Sequence, residues 1–330
     1  MTESGFHPTH HSVIQTPVLA LGNFIELILN YIFGEFKELE LLTLSSTFLN
    51  IISLLIGLYF TNKISRKINS RDLSSTAISI YFFSTSILMF SLFTFNVLEV
   101  FTFPLTSYIF FSSICKPDPK ENLINKLIQG SLCGLLFITK IIYLPICIIS
   151  LFNTLNRKEI KNLVIFSIGF LIIILIHAFY TKIVYGVYFS SSSLTTANII
   201  CEYTFENFFR TISLGSFTNY GIFLVNPVYL LSFFSFFYFY SFKEKKFTLI
   251  ETIILSCWVL FGIYYITFMI GNLTDDQFPG RMALSSLSIF IIGFDKLFEK
   301  LTTLRQKVIT ALFLIIPQIF FTLNFMALYS

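Results

Sequence analysis

The chain has 330 residues, of which 55% are hydrophobic, 18% aromatic and only 12% charged, with a formal net charge of +4. A soluble domain carries about 25% charged residues, and mean hydropathy here is +0.78, so the composition argues against a water-soluble enzyme or a nucleic-acid binder and for a polytopic membrane protein. Five cysteines, Cys115, Cys133, Cys147, Cys201 and Cys257, have no CxxC spacing, which argues against a disulfide framework or a thiolate metal site.

In chain order, residues 1–40 contain "GFHPTHHSVIQTPVLALGNF" with no basic leader. They are therefore no signal peptide, and read instead as an outer-face segment with an N-terminal interfacial helix. His7, His10 and His11 lie close together, but no nearby carboxylate or cysteine completes a ligand set. No metal is assigned; a divalent ion is allowed but not indicated.

A bilayer core about 30 Å thick needs roughly 20 apolar residues in a helix. Such runs fall at 41–60, 73–95, 100–115, 163–182, 222–242, 249–270, 282–298 and 308–328, which predicts about eight spanning helices. The run 127–152 differs, because Lys140 and Pro145 interrupt it and both its flanks, "KPDPKENLINK" and "NRKEIK", are basic. Basic loops stay cytoplasmic, so this run is expected to be a short re-entrant hairpin with Thr139 and Lys140 near its turn. No repeat or linker divides the chain. The fold expected is all-α: a polytopic transmembrane helical bundle forming a single membrane domain over 1–330, with 1–40 outside and 41–330 as the bundle.

This arrangement gathers most lysines and arginines on the cytoplasmic side and leaves Lys37, Lys140, Lys182, Arg210 and Arg281 outside. It also strands residues 1–40 outside with no preceding helix, which leads to the expectation that an upstream helix is missing. Polar residues beside membrane spans point to a site. On the outer side these are Glu99; Lys140; Glu202, Glu206 and Arg210; and Asp275, Asp276 and Arg281. Cations and acids on one face suit a phosphate-bearing ligand and a base. Each also has a plainer reading: interfacial anchors for Glu99, Lys140 and Arg281, a solvated helical face for Glu202, Glu206 and Arg210, and a polar loop for Asp275 and Asp276.

Four stretches resemble the integral-membrane GT-C glycosyltransferases, in the bacterial branch of protein mannosyltransferases and lipid A aminoarabinose transferases. They are "GLLFITKIIYLPI", "YGVYFSSSSLTTAN", "NYGIFLVNPVYLLSFFSFFYFYSFKEKK" and "GNLTDDQFPGRMALSSLSIFIIGF". The resemblance implies transfer of a sugar from a polyprenyl-phosphate donor to a glycolipid, polysaccharide or protein acceptor, at the outer face of a bacterial inner membrane. It gives Lys140, Arg281 and Arg210 contacts to the donor phosphate, and Glu99 a catalytic role in orienting the acceptor or assisting the base. His10, His11, Glu202 and Asp275 become acceptor or loop candidates. The family's primary catalytic Asp lies on a loop before the segment where this chain begins and has no counterpart here, so the expectation is that transfer by this chain is impaired unless an acid such as Glu99 replaces it. The rival expectations are a transporter or flippase for a lipid-linked sugar and a non-catalytic, truncated membrane protein.

Overall fold

Within a single apolar segment only a helix satisfies every main-chain polar group. The computed structural model describes residues 38–85, 97–114, 123–139, 143–156, 160–186, 188, 227–269 and 281–329, with Phe24, Leu27, Ile28 and Tyr31. Ten α-helices are described: α1 (Glu38–Asn69), α2 (Ser75–Phe83), α3 (Val97–Ile114), α4 (Leu123–Thr139), α5 (Leu144–Asn156), α6 (Ile160–Tyr185), α7 (Pro227–Phe236), α8 (Leu249–Met269), α9 (Leu287–Lys300) and α10 (Leu304–Tyr329). A π-helix, Phe237–Lys243, continues α7, and a 3-10 helix, Arg281–Ser286, leads into α9. No strand occurs among the described residues.

The all-α class is as expected, and helix occupies part or all of every apolar run. The expected count of about eight spans is supported only in part. Among the described residues two helical stretches, Thr47–Asn69 and Ile160–Ile183, are long and apolar enough to cross a membrane. Of the other helices, α2, α4, α5, α7 and α9 have 17 residues or fewer, while α10 has 26 with Pro317 inside. The run at 222–242 changes to π-helix at Phe237, the run at 282–298 begins in 3-10 helix, and α3 has 18 residues with Pro104 inside. Phe24, Leu27, Ile28 and Tyr31 are helical and exposed.

Helix starts at one end of the bundle are written locally. Ser74 caps α2, its hydroxyl accepting from the Ala77 N–H at 3.4 Å. "TLIE" before α8 forms a capping box: the Thr248 N–H donates to Glu251 Oε2 at 2.8 Å and the Glu251 N–H to Thr248 Oγ1 at 3.3 Å. Thr303 and Gln306 repeat that arrangement ahead of α10.

The run at 127–152 is two helices. Pro145, in the first turn of α5, has no N–H to continue α4 through the interruption. Cys147 Sγ lies 3.5 Å from the Cys133 carbonyl oxygen. Fourteen residues apart in one straight helix they would be separated by about 21 Å, so the chain folds back. The neighbouring helix agrees. Gly130 meets Phe166 and Gly134 meets Phe170, so α4 and α6 run parallel, with α5 returning between them. Their packing is the most extensive between any two helices. It depends on small residues: a Cβ on Gly130 would strike the Phe166 carbonyl, and one on Gly169 the Leu127 carbonyl.

A second set of parallel helices forms the centre. Gly57 of α1 faces Phe103 of α3, Phe60 stacks edge-on to Tyr108 at 5.2 Å, and Lys63 lies 5.8 Å from the Phe111 ring. Contacts between α7 and α9 advance in the same way, from Tyr229 on Phe290 at 4.9 Å to Ser232 on Gly293 and Tyr240 near Lys296. The aromatic core, Phe103, Phe110, Phe236, Trp258, Phe290 and Phe294, is buried between these helices and α8. Aliphatic stripes face outward along α1, α6 and α10, as on helices in contact with lipid.

Candidate functional site

The centre of α3 is shaped by Pro104, which cannot donate to the carbonyl four residues earlier. Hydroxyls around it bond main-chain oxygens. Thr106 Oγ1 donates to the Thr102 carbonyl at 2.9 Å and reaches the Ser285 carbonyl of the 3-10 helix, and Ser107 Oγ donates to the Phe103 carbonyl at 2.7 Å. Ser107 and Ser288 hydroxyls are 2.6 Å apart, and Thr61 Oγ1 lies 3.2 Å from Ser288 Oγ and 2.7 Å from the Gly57 carbonyl. All of these side chains are buried, so α1, α3 and α9 are joined by hydroxyls without an unpaired charge.

This junction fixes where two sequence-predicted site residues stand. Glu99 is in the first turn of α3, seven residues before Thr106, and Arg281 opens the 3-10 helix, four residues before Ser285. With rises of about 1.5 Å and 2.0 Å per residue, both backbones lie roughly 8–10 Å beyond the Thr106–Ser285 contact, on the same side of it. Lys140 is outside the described residues. Its neighbours Thr139 and Tyr143 end α4 and begin the return to α5. Asn153 Nδ2 of α5 donates to the Ser113 carbonyl of α3 at 2.9 Å, so the C-terminal ends of those two helices meet. Arg210, His10, His11, Glu202 and Asp275 lie outside the described residues.

At the opposite end stands an ionic cluster that sequence reading missed. Asp295 of α9 is 1% exposed; its carboxylate accepts from Arg71 Nη2 at 2.7 Å and from the Ser74 N–H at 3.0 Å. Arg71 also reaches Glu299 at 3.1 Å, and Lys296 bridges Glu299 at 3.4 Å and Glu244 at 3.2 Å. Tyr240 OH donates to Asn69 Oδ1 at 2.9 Å, closing the group across α1 and α7. The signal was a charged pair, Asp295 and Lys296, near the end of an apolar run, with Glu299 one turn on. Burial opposes ionisation of Glu299, but Lys296 and Arg71 outweigh it and hold its carboxyl below the ordinary range. Burial likewise works against the Arg71 charge, and Asp295 and Glu299 overcome it, raising the guanidinium further. The hydrogen bond from Arg66 lowers the exposed Asp72 carboxyl.

Two apolar cavities open on the flank of the bundle. One of about 460 Å³ lies between α1, α3 and α4, lined by Ile52, Ile56, Phe60, Pro104, Tyr108 and Leu132. Another of about 290 Å³ lies between α4, α5 and α6 beside Cys133 and Cys147. Both suit hydrocarbon and offer almost no polar group. No cluster of three His, Cys, Asp or Glu that could hold a metal occurs among the described residues. Comparison with protein-family models, curated proteins and solved structures gives no match to this chain.

Proposed function

We propose that this chain is a multi-pass membrane protein that transfers a sugar from a polyprenyl-phosphate donor to a glycolipid, polysaccharide or protein acceptor at the non-cytoplasmic face. The observation that carries this reading is the parallel packing of α3 on the 3-10 helix and α9, with the backbones of Glu99 and Arg281 at one end of the bundle. The Arg71, Lys296 and Arg66 side chains are at the other end. An acid and a guanidinium at the outer end supply what the reaction requires. Glu99 takes the proton of the acceptor hydroxyl as the anomeric carbon is attacked. Arg281, with Lys140 from the α4–α5 turn, offsets the charge that grows on the leaving phosphate. The fold-back of α5 on α4 supports the expected hairpin. The apolar stripes on α1, α6 and α10 support placement in the bilayer.

Membranes containing the full chain, given radiolabelled polyprenyl-phosphate sugars, test the proposal. Label should pass to endogenous glycolipid, polysaccharide or protein. Arg281→Ala should lower the rate about 100-fold or more, the cost of losing one donor to a developing anion. Full transfer by the Arg281→Ala protein, or none by the parent chain with any lipid-linked sugar, rejects it.

A further inference from the structure

We infer that the corner formed by the α7–α8 connection, the end of α9 and the start of α10 is a binding site for anionic phospholipid headgroups. The Lys296–Glu244 ion pair, 3.2 Å, ties the α7–α8 connection to α9, and Lys307 lies over the Phe298 ring at 5.2 Å, tying α10 to the same helix end. Around this junction stand Lys243, Lys245, Lys246, Lys300, Arg305 and Lys307, none of which has an ion-pair partner among the described residues. Of the acids close by, Glu244 and Glu299 are already engaged by Lys296 and Arg71, and Glu251 caps the start of α8 on Thr248. The corner therefore carries an excess of positive charge open to an outside anion.

Apolar neighbours decide which anion. Phe242 is 67% exposed beside Lys243, Leu249 is 73% exposed after Lys246, and Leu304 is 78% exposed beside Arg305. A soluble polyanion gains nothing from these side chains. A phospholipid places its phosphate against the cations and its acyl chains against Phe242, Leu249 and Leu304. The Lys243 ammonium over Phe239 at 5.8 Å has the amphipathic character of side chains at a headgroup level. This inference rests on the bilayer placement but not on sugar transfer.

The test uses the purified full chain in neutral detergent, with phosphatidylglycerol and phosphatidylcholine of equal chain length added in turn and retained lipid counted by native mass spectrometry. Phosphatidylglycerol should be retained about ten-fold more than phosphatidylcholine, since one surface cation alone is worth about five-fold. Lys245→Gln with Lys246→Gln and Arg305→Gln should abolish the preference, Lys245→Arg with Lys246→Arg should keep it, and Lys182→Gln, far from the corner, should leave it intact. Equal retention of both lipids by the parent protein overturns the inference, as does an unchanged preference in the glutamine variant. Displacement of the bound lipid by inorganic phosphate alone would also overturn it, assigning the corner to soluble anions. Alkaline washing of the native membranes separates the two levels: a chain washed free defeats the bilayer placement as well, whereas a chain that stays without lipid preference defeats only this site.

Discussion

Asp295 shows what a single residue does in this molecule. A carboxylate 1% exposed is tolerated because Arg71 and the Ser74 N–H meet it, so α9, the α1–α2 turn and α2 are bound at one point. Asp295→Ala leaves Arg71 without its buried partner. The cost of breaking such a pair is about 3–5 kcal/mol, and the lower figure applies because Arg71 keeps Glu299 and is one-third exposed. Thermal unfolding in detergent checks this, and a midpoint unchanged from the parent would show that the pair contributes nothing. Glu299 adds a dependence on pH. Its carboxyl lies lower in the folded chain than the ordinary value of about 4.3. Its contribution is therefore complete above that value and lost as pH falls through the lower, folded one. Glu299→Gln should flatten the fall in stability below about pH 4.3. If the proposed transfer is this chain's activity, Glu99→Gln should slow it by about 100- to 10,000-fold, the range for a general base. An unaltered rate would mean that Glu99 is only an interfacial acid.

At the level of helices, the sequence was legible where composition and breakers agree. The hairpin at 127–152 followed from basic flanks and Pro145, and the structure has two helices, α4 and α5, folded back there. Lateral packing was less legible. "GSLCG" was not read as a contact surface, although Gly130 and Gly134 lie against α6. Small residues in an apolar run look alike whether they meet lipid or a neighbouring main chain, and only the partner helix distinguishes them. The change to π-helix at Phe237 was also hidden, since "FYFYSFK" has no proline or glycine to mark it. Gly130→Leu should push α6 away from α4. Overpacking of this kind costs about 1–3 kcal/mol, read as a lower unfolding midpoint. Ser131→Ala, which removes only a 3.4 Å hydrogen bond to the Gly169 carbonyl, should have a much smaller effect. Equal loss in both variants would show that close approach is not what holds the pair.

For the whole molecule, relative depth follows from register. If Gly134 is level with Phe170, Thr139 is level with a residue near 175, seven positions short of Lys182. At about 1.5 Å per residue α4 ends roughly 10 Å short of the level of Lys182. A polar turn at such a depth needs a wet cavity or a protein wall. The proposed chemistry requires the wet cavity, because a sugar phosphate must reach Lys140. In a version of the full chain with its cysteines replaced by alanine, an impermeant maleimide added to intact cells should label Lys182→Cys and Lys140→Cys. It should not label Thr302→Cys, between α9 and α10, until the membrane is opened. Labelling at 302 from outside would invert the orientation and with it the assignment of Arg281 to the outer face. Labelling at 182 but not at 140 would keep the orientation and show the turn to be dry, leaving Lys140 unable to meet a phosphate and Arg281 as the cation on which the mechanism must rest.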